Sequence, residues 1–172
     1  SENLPYTFRG YSTHFGDPKH GEGDNGTQLL ETINEGLINH RVSTNTIDKF
    51  MREHLGLGSE YVMTPADWLS IPQQKLLTFT AGEVFHDGLD LEGIRHKFAF
   101  YPHDVWVYLL VCSWSRIGQD EHLAPRAGYV GDELGSALIA GRLVRSIMQL
   151  CFLMEKRYAP YPKWFGTGFK EL

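Results

Sequence analysis

Between Arg126 and Lys163 the chain reads RAGYVGDELGSALIAGRLVRSIMQLCFLMEKRYAPYPK, and no other stretch limits the fold as strongly. Val130, Leu134, Ala137, Val144, Met148 and Cys151 recur at helical steps, which no strand would produce. The spacing predicts one helix of roughly 30 residues ending near Tyr158, well beyond the usual three or four turns. From Ile147 to Met154 only Gln149 interrupts the apolar side chains. A helix apolar on all sides is surrounded by other elements, so this one is expected at the centre of a bundle. Pro160 and Pro162 cannot continue it, and Lys156 and Arg157 suit the negative end of its dipole.

Gly128, Gly131 and Gly135 fall near one line of that helix. Glycine weakens a helix by about 1 kcal/mol against alanine, so several on one side imply close approach of a backbone or ligand. Further along roughly the same side lie Arg142, Arg145 and Gln149. Neither arginine has an acid three or four residues away within the helix, and a buried charge needs a partner. That partner is either Asp120 or Glu121 of the preceding helix, or a bound anion such as phosphate.

A length of 172 residues fits one domain of ordinary size with a real core. A hydrophobic share of 42% against 22% charged is globular, and a net charge of −5 argues against general attraction to nucleic acid. Cys112 and Cys151 lie in apolar helical runs without metal-ligand spacing, as buried thiols of a reducing compartment would. The longest unbroken apolar run, Val105 to Cys112, is eight residues, far short of a membrane span. The expected setting is the cytoplasm, with no membrane partner. The first residue, Ser1, stands in loop-like sequence, which suggests a piece of a longer parent.

Taken in order, Tyr6, Phe8, Tyr11 and Phe15 precede a Gly- and Asp-rich run that includes His20. His14 and His20 match no metal spacing, and the run reads as a solvated loop. Gln28 to Gly36 is a short helix or β element, and Leu37 to Ser43 alternates as a strand does. From Thr44 the periodicity turns helical. Ile47, Phe50, Met51 and Leu55 mark one face, with Gly56 as its stop. Thr64-Pro65-Ala66-Asp67 reads as an N-cap with proline at the first helical position. Short helices follow at Gln73 to Val84 and Leu89 to Phe98. Pro102 and Asp104 open a long one, Val105 to His122, and Ala124-Pro125 makes the return to an antiparallel partner. The expected fold is mainly α, a bundle of five or six helices over residues 44–172, preceded by a β and loop segment over 1–43.

No phosphate-binding loop, dinucleotide fingerprint, CxxC pair, HExxH or nucleophile elbow is present. Around the helical return, Gln119, Glu121, Arg126, Asp132, Glu133 and Ser136 form a candidate polar cleft. The acids there could work as acid and base, or Asp132 and Glu133 could simply stabilise the positive end of the long helix. Arg116 and His122, separated by five residues, resemble the Arg-x(4–6)-His signature of HEPN helical ribonucleases. That rival implies RNA cleavage, although Asp120 and Glu121 beside it would repel phosphates.

A broader resemblance covers nearly the whole chain. FRGYSTHFG, DWLSIPQQKLLTFTAGEVFHDGL, YPHDVWVYLL and the stretch from Trp114 to Leu172 resemble an uncharacterised bacterial family of nucleotidyltransferase-like proteins with a C-terminal helical domain of unknown function. Its wider relatives are the kanamycin and streptomycin nucleotidyltransferases, which hold substrate between a catalytic sheet domain and a helical bundle. The resemblance implies that residues 1–43 are a remnant of the sheet domain. It also implies that the bundle walls a nucleotide and acceptor cleft, with Arg142, Arg145, Gln149, Tyr158 and Lys163 binding. Tyr158, Pro160, Tyr161, Lys163 and Trp164 match the family's YxPYxKW ending.

The catalytic part of the pattern is missing. The superfamily holds Mg²⁺ with a Gly-Ser turn, a pair of aspartates and a third carboxylate. Here Gly58-Ser59 is followed by no Asp-x-Asp, Gly135-Ser136 lies within the predicted helix, and NHRVS holds no acid. No catalytic or metal-binding residue is therefore assigned. ATP and Mg²⁺ belong only to a complete parent, whose catalytic domain and small-molecule acceptor are the expected partners. A non-catalytic bundle that binds a ligand or a protein is the third alternative.

Overall fold

The computed structural model describes residues 4–18 and 28–172, so His20 lies outside the described residues. The backbone falls into two compact units, Ser1–Asn45 and Thr46–Leu172.

In the first unit, β1 (Thr7–Phe8) and β2 (Tyr11–Ser12) pair antiparallel. Arg9 and Gly10 make the connection, both at positive φ, as a two-residue primed hairpin turn requires. Phe15 bridges Leu30, and His14 Nδ1 accepts from the Asn39 amide at 3.1 Å. Leu37 to Ser43 is not a strand. Asn39 bonds to Phe15 through its carbonyl and its carboxamide, but no ladder forms around it. Alternation without a continuous neighbour does not make a sheet.

The second unit is a mainly helical bundle. It holds α1 (Ile47–Leu55), α2 (Pro65–Ser70), α3 (Gln73–Thr80), α4 (Leu91–Lys97), α5 (His103–Asp120), α6 (Leu123–Tyr129), α7 (Glu133–Met154), a 3-10 turn (Pro162–Trp164) and α8 (Phe165–Phe169). The capping signals act as their residue types demand. Thr64 accepts from the Asp67 amide while Asp67 accepts from the Thr64 amide at 2.7 Å, a reciprocal capping box. Gly56 closes α1 in the left-handed conformation.

The single helix expected from Arg126 to about Tyr158 is two helices. α6 ends at Tyr129, Gly131 takes a φ of +81°, and Asp132 restarts the chain by accepting from the Gly135 amide at 2.8 Å. A Cβ on Gly135 would sit on the Asp132 carboxylate, so this glycine serves the cap. Pro125 lies in the first turn of α6, where no amide donor is needed, and the chain reverses before it. At the other end, Lys156 is left-handed at a φ of +52°. The Arg157 amide bonds Phe152 and the Lys156 amide bonds Leu153, a Schellman closure that stops α7 at Met154.

The main core joins Met51 and Leu55 of α1, Trp68, Leu76, Phe79, Phe98, Tyr101 and Val105 to Leu153 and Tyr158. Its rings meet edge-on, Phe79 with Phe98 at 5.3 Å and Tyr101 with Tyr158 at 5.2 Å, a preferred aromatic geometry. Burial pushes the Tyr101 phenol up to about 12 and that of Tyr158 higher still. A smaller core seats Phe165 and Phe169 of α8 on Phe152. α5 and α7 run antiparallel: the Trp106 indole donates to the Leu153 carbonyl at 2.7 Å, and Asp120 meets Arg142.

α7 is not enclosed. Its C-terminal part buries Ser146, Leu150, Phe152 and Leu153, but Leu134, Leu138 and Val144 are 57–73 % exposed, as is Val130 at 77 % in the link before it. Over the N-terminal part, the apolar periodicity that suggests a core helix therefore marks side chains that face solvent. α5 repeats this with exposed Val107, Val111 and Trp114. Cys112 is also exposed, and Cys151 is half-buried. Taken over its 22 residues, α7 is long and apolar enough to cross a membrane, and only 22 % of its apolar window is buried. Two arginines within it would be costly there.

Candidate functional site

A groove of about 520 Å³ runs between the antiparallel α5 and α7. On α5, Cys112, Arg116 and Gln119 follow one another at steps of four and three, so they share a face. On α7, Ser146 and Gln149 stand opposite at a step of three. Arg116 is the one charged side chain in this lining, and no carboxylate borders it. Among the described residues no carboxylate lies within ion-pair range of Arg116. The arrangement can hold a small polar molecule. It supplies a fixed positive charge, carboxamides that both donate and accept, and hydroxyl oxygens.

Of the candidates drawn from the sequence, the groove brings together Gln119, Gln149 and Arg116 of the Arg–His pair, and leaves the others elsewhere. Arg142 Nη2 bonds Asp120 Oδ1 at 2.7 Å, with the arginine half-exposed and the aspartate nearly buried. The Arg145 guanidinium lies 5.3 Å above the Phe165 ring, a cation–π contact. Tyr158 is in the core and donates to the Phe98 carbonyl at 2.9 Å. Lys163 sits on the 3-10 turn with its ammonium 5.1 Å over the Trp164 ring. Glu121 closes α5, Arg126 is exposed on α6, and Glu133 begins α7. Ser136 donates to the Ala124 carbonyl at 2.9 Å and so fastens α6 onto α7.

Arg116 lines the groove, while His122 stands at the turn into α6. Ser113, Ser115, Ser146 and Cys112 also line it, none of which the sequence marks as a binding residue. The signal for the three on α5 is Cys-Ser-Trp-Ser-Arg-Ile-Gly-Gln, a polar stripe at helical spacing within an otherwise apolar helix. Among the described residues no three His, Cys, Asp or Glu side chains group as metal ligands.

A family model described as a domain of unknown function (DUF4037) matches residues 68–165, from Trp68 in α2 to Phe165 at the start of α8. The matched span contains the whole groove. No curated protein and no solved structure matches the chain.

Proposed function

The chain belongs to the DUF4037 family of unknown function, and from that premise we propose that it is the helical region of a nucleotidyltransferase-like protein. It forms one wall of a cleft for nucleotide and acceptor and does not catalyse alone. The observation that carries this reading is the α5–α7 groove, which gathers Arg116, Gln119 and Gln149 without a carboxylate. Such a wall can bind a polar substrate, but metal-holding carboxylates must come from another domain. The solvent-facing apolar side chains Val130, Leu134, Leu138 and Val144 support the same view, because exposed apolar surface marks interaction sites. It is the seat for the catalytic domain of the same protein. ATP and Mg²⁺ enter with that domain, and the small-molecule acceptor completes the cleft.

The test uses the protein that carries both a catalytic sheet domain and this chain. Mg²⁺-dependent transfer of labelled adenylate from ATP is measured across a panel of small acceptors. Transfer is expected from the joined protein and not from the 172-residue chain. It should fall by roughly tenfold or more in Arg116→Met and in Gln149→Ala, each of which removes a binding contact. Turnover by the 172-residue chain, or a joined protein indifferent to both substitutions, overturns the proposal.

A further inference from the structure

We infer that the α5–α7 groove takes the acceptor rather than the nucleotide, and that this acceptor is a small polyhydroxyl compound bearing one anionic group. The inference rests on the cleft-wall reading and adds the substrate class. Arg116 supplies the single charge of the lining. The arginines nearest in sequence on α7 are committed elsewhere, Arg142 to Asp120 and Arg145 to the face of Phe165. One guanidinium matches one phosphate or carboxylate in bidentate fashion, whereas a triphosphate would keep most of its charge unpaired. A polycation would meet Arg116 and find no carboxylate to receive it.

The hydroxyls define the rest of the ligand. Ser113 already donates its proton to the Leu109 carbonyl at 2.8 Å, and Ser146 donates to the Arg142 carbonyl at 3.0 Å. Both therefore face the groove only as acceptors, and a ligand must bring donors to them. Gln119 and Gln149 each offer a donor and an acceptor, which suits vicinal hydroxyl groups. A volume of about 520 Å³ lies within the usual range for small-molecule sites.

Isothermal titration of the 172-residue chain with glucose 6-phosphate, gluconate, glucose and kanamycin tests this directly. The two anionic probes should bind, weaken as salt rises, and lose roughly tenfold or more in affinity in Arg116→Met. Arg116 is exposed, so the variant should keep the parent melting temperature, and Gln149→Ala gives a second, charge-neutral check. Kanamycin binding as tightly as either anion, or anion binding unchanged in Arg116→Met, overturns the inference. Absence of binding by every probe also overturns it. If adenylate transfer by the joined protein still depends on Arg116 and Gln149, the cleft wall survives that failure. Conversely, Arg116-dependent anion binding with transfer indifferent to both residues keeps the ligand class and removes the cleft wall.

Discussion

Arg95 shows how one side chain can secure a bundle of short helices. It is only 7 % exposed, and its guanidinium donates to the carbonyls of Thr80, Ala81 at 2.9 Å and Gly82 at 2.8 Å, with Glu92 at 3.2 Å. Those carbonyls end α3 and follow it, where the helix dipole is negative and the acceptors lack helical partners. A buried cation is normally costly, but here every neighbour is an acceptor. Arg95→Met keeps the volume and leaves the carbonyls unpaired, so it should cost about 3 kcal/mol in urea denaturation. A loss below about 1 kcal/mol, the scale of one ordinary net hydrogen bond, would show that water replaces the guanidinium.

At the scale of elements, helix starts are held by carboxylates, and this makes them sensitive to acid. α4 begins beside Asp90, which has a φ of +59° and makes no side-chain capping bond. Asp87 reaches across instead, accepting from the Leu91 amide at 2.7 Å and the Glu92 amide at 2.8 Å. These bonds, with that to Glu92 first, hold its carboxyl below the usual carboxylate range. Asp67 is lowered mainly by the Thr64 hydroxyl and Asp48 mainly by Arg52. A carboxyl with a depressed folded-state value contributes stability above its unfolded value, near 3.9, and loses it as pH falls through the folded value. The melting temperature should therefore drop progressively below about pH 4. Asp87→Asn should melt lower than the parent at pH 7, and the gap should close toward pH 3, as circular dichroism melts would show. A gap independent of pH would mean that the Asp87 charge contributes nothing.

Considered as a whole, the helical unit is finished at one end and open at the other. The aromatic core lies where α2, α3 and α5 meet the C-terminal end of α7, while the N-terminal part of α7 leaves Leu134 and Leu138 about 70 % exposed. Replacing Leu134, Leu138 and Val144 together by lysine should leave the melting temperature of the chain within a few degrees of the parent, since surface substitutions change stability little. The same triple variant should lower the fluorescence of a bound hydrophobic dye and raise solubility. A large fall in melting temperature would place these residues in the core after all.

The sequence by itself determined what local chemistry decides: the helical class, the Thr64 capping signal, the Gly56 stop, and the antiparallel pairing of two long helices. It named Gln149 through its place on the arginine side of the long helix and Gln119 through its place near the helical return. It did not determine where the long helix breaks, because Gly131 and Asp132 fit both a continuous helix and a left-handed turn followed by a cap. Nor could it tell which face of α7 is covered, since apolar periodicity marks a surface that needs a partner whether or not the same domain supplies one. The partners of the arginines were equally out of reach. Arg95 with the end of α3, Arg142 with Asp120, Arg145 with Phe165 and Arg116 with open space are choices of packing, and only the tertiary structure makes them.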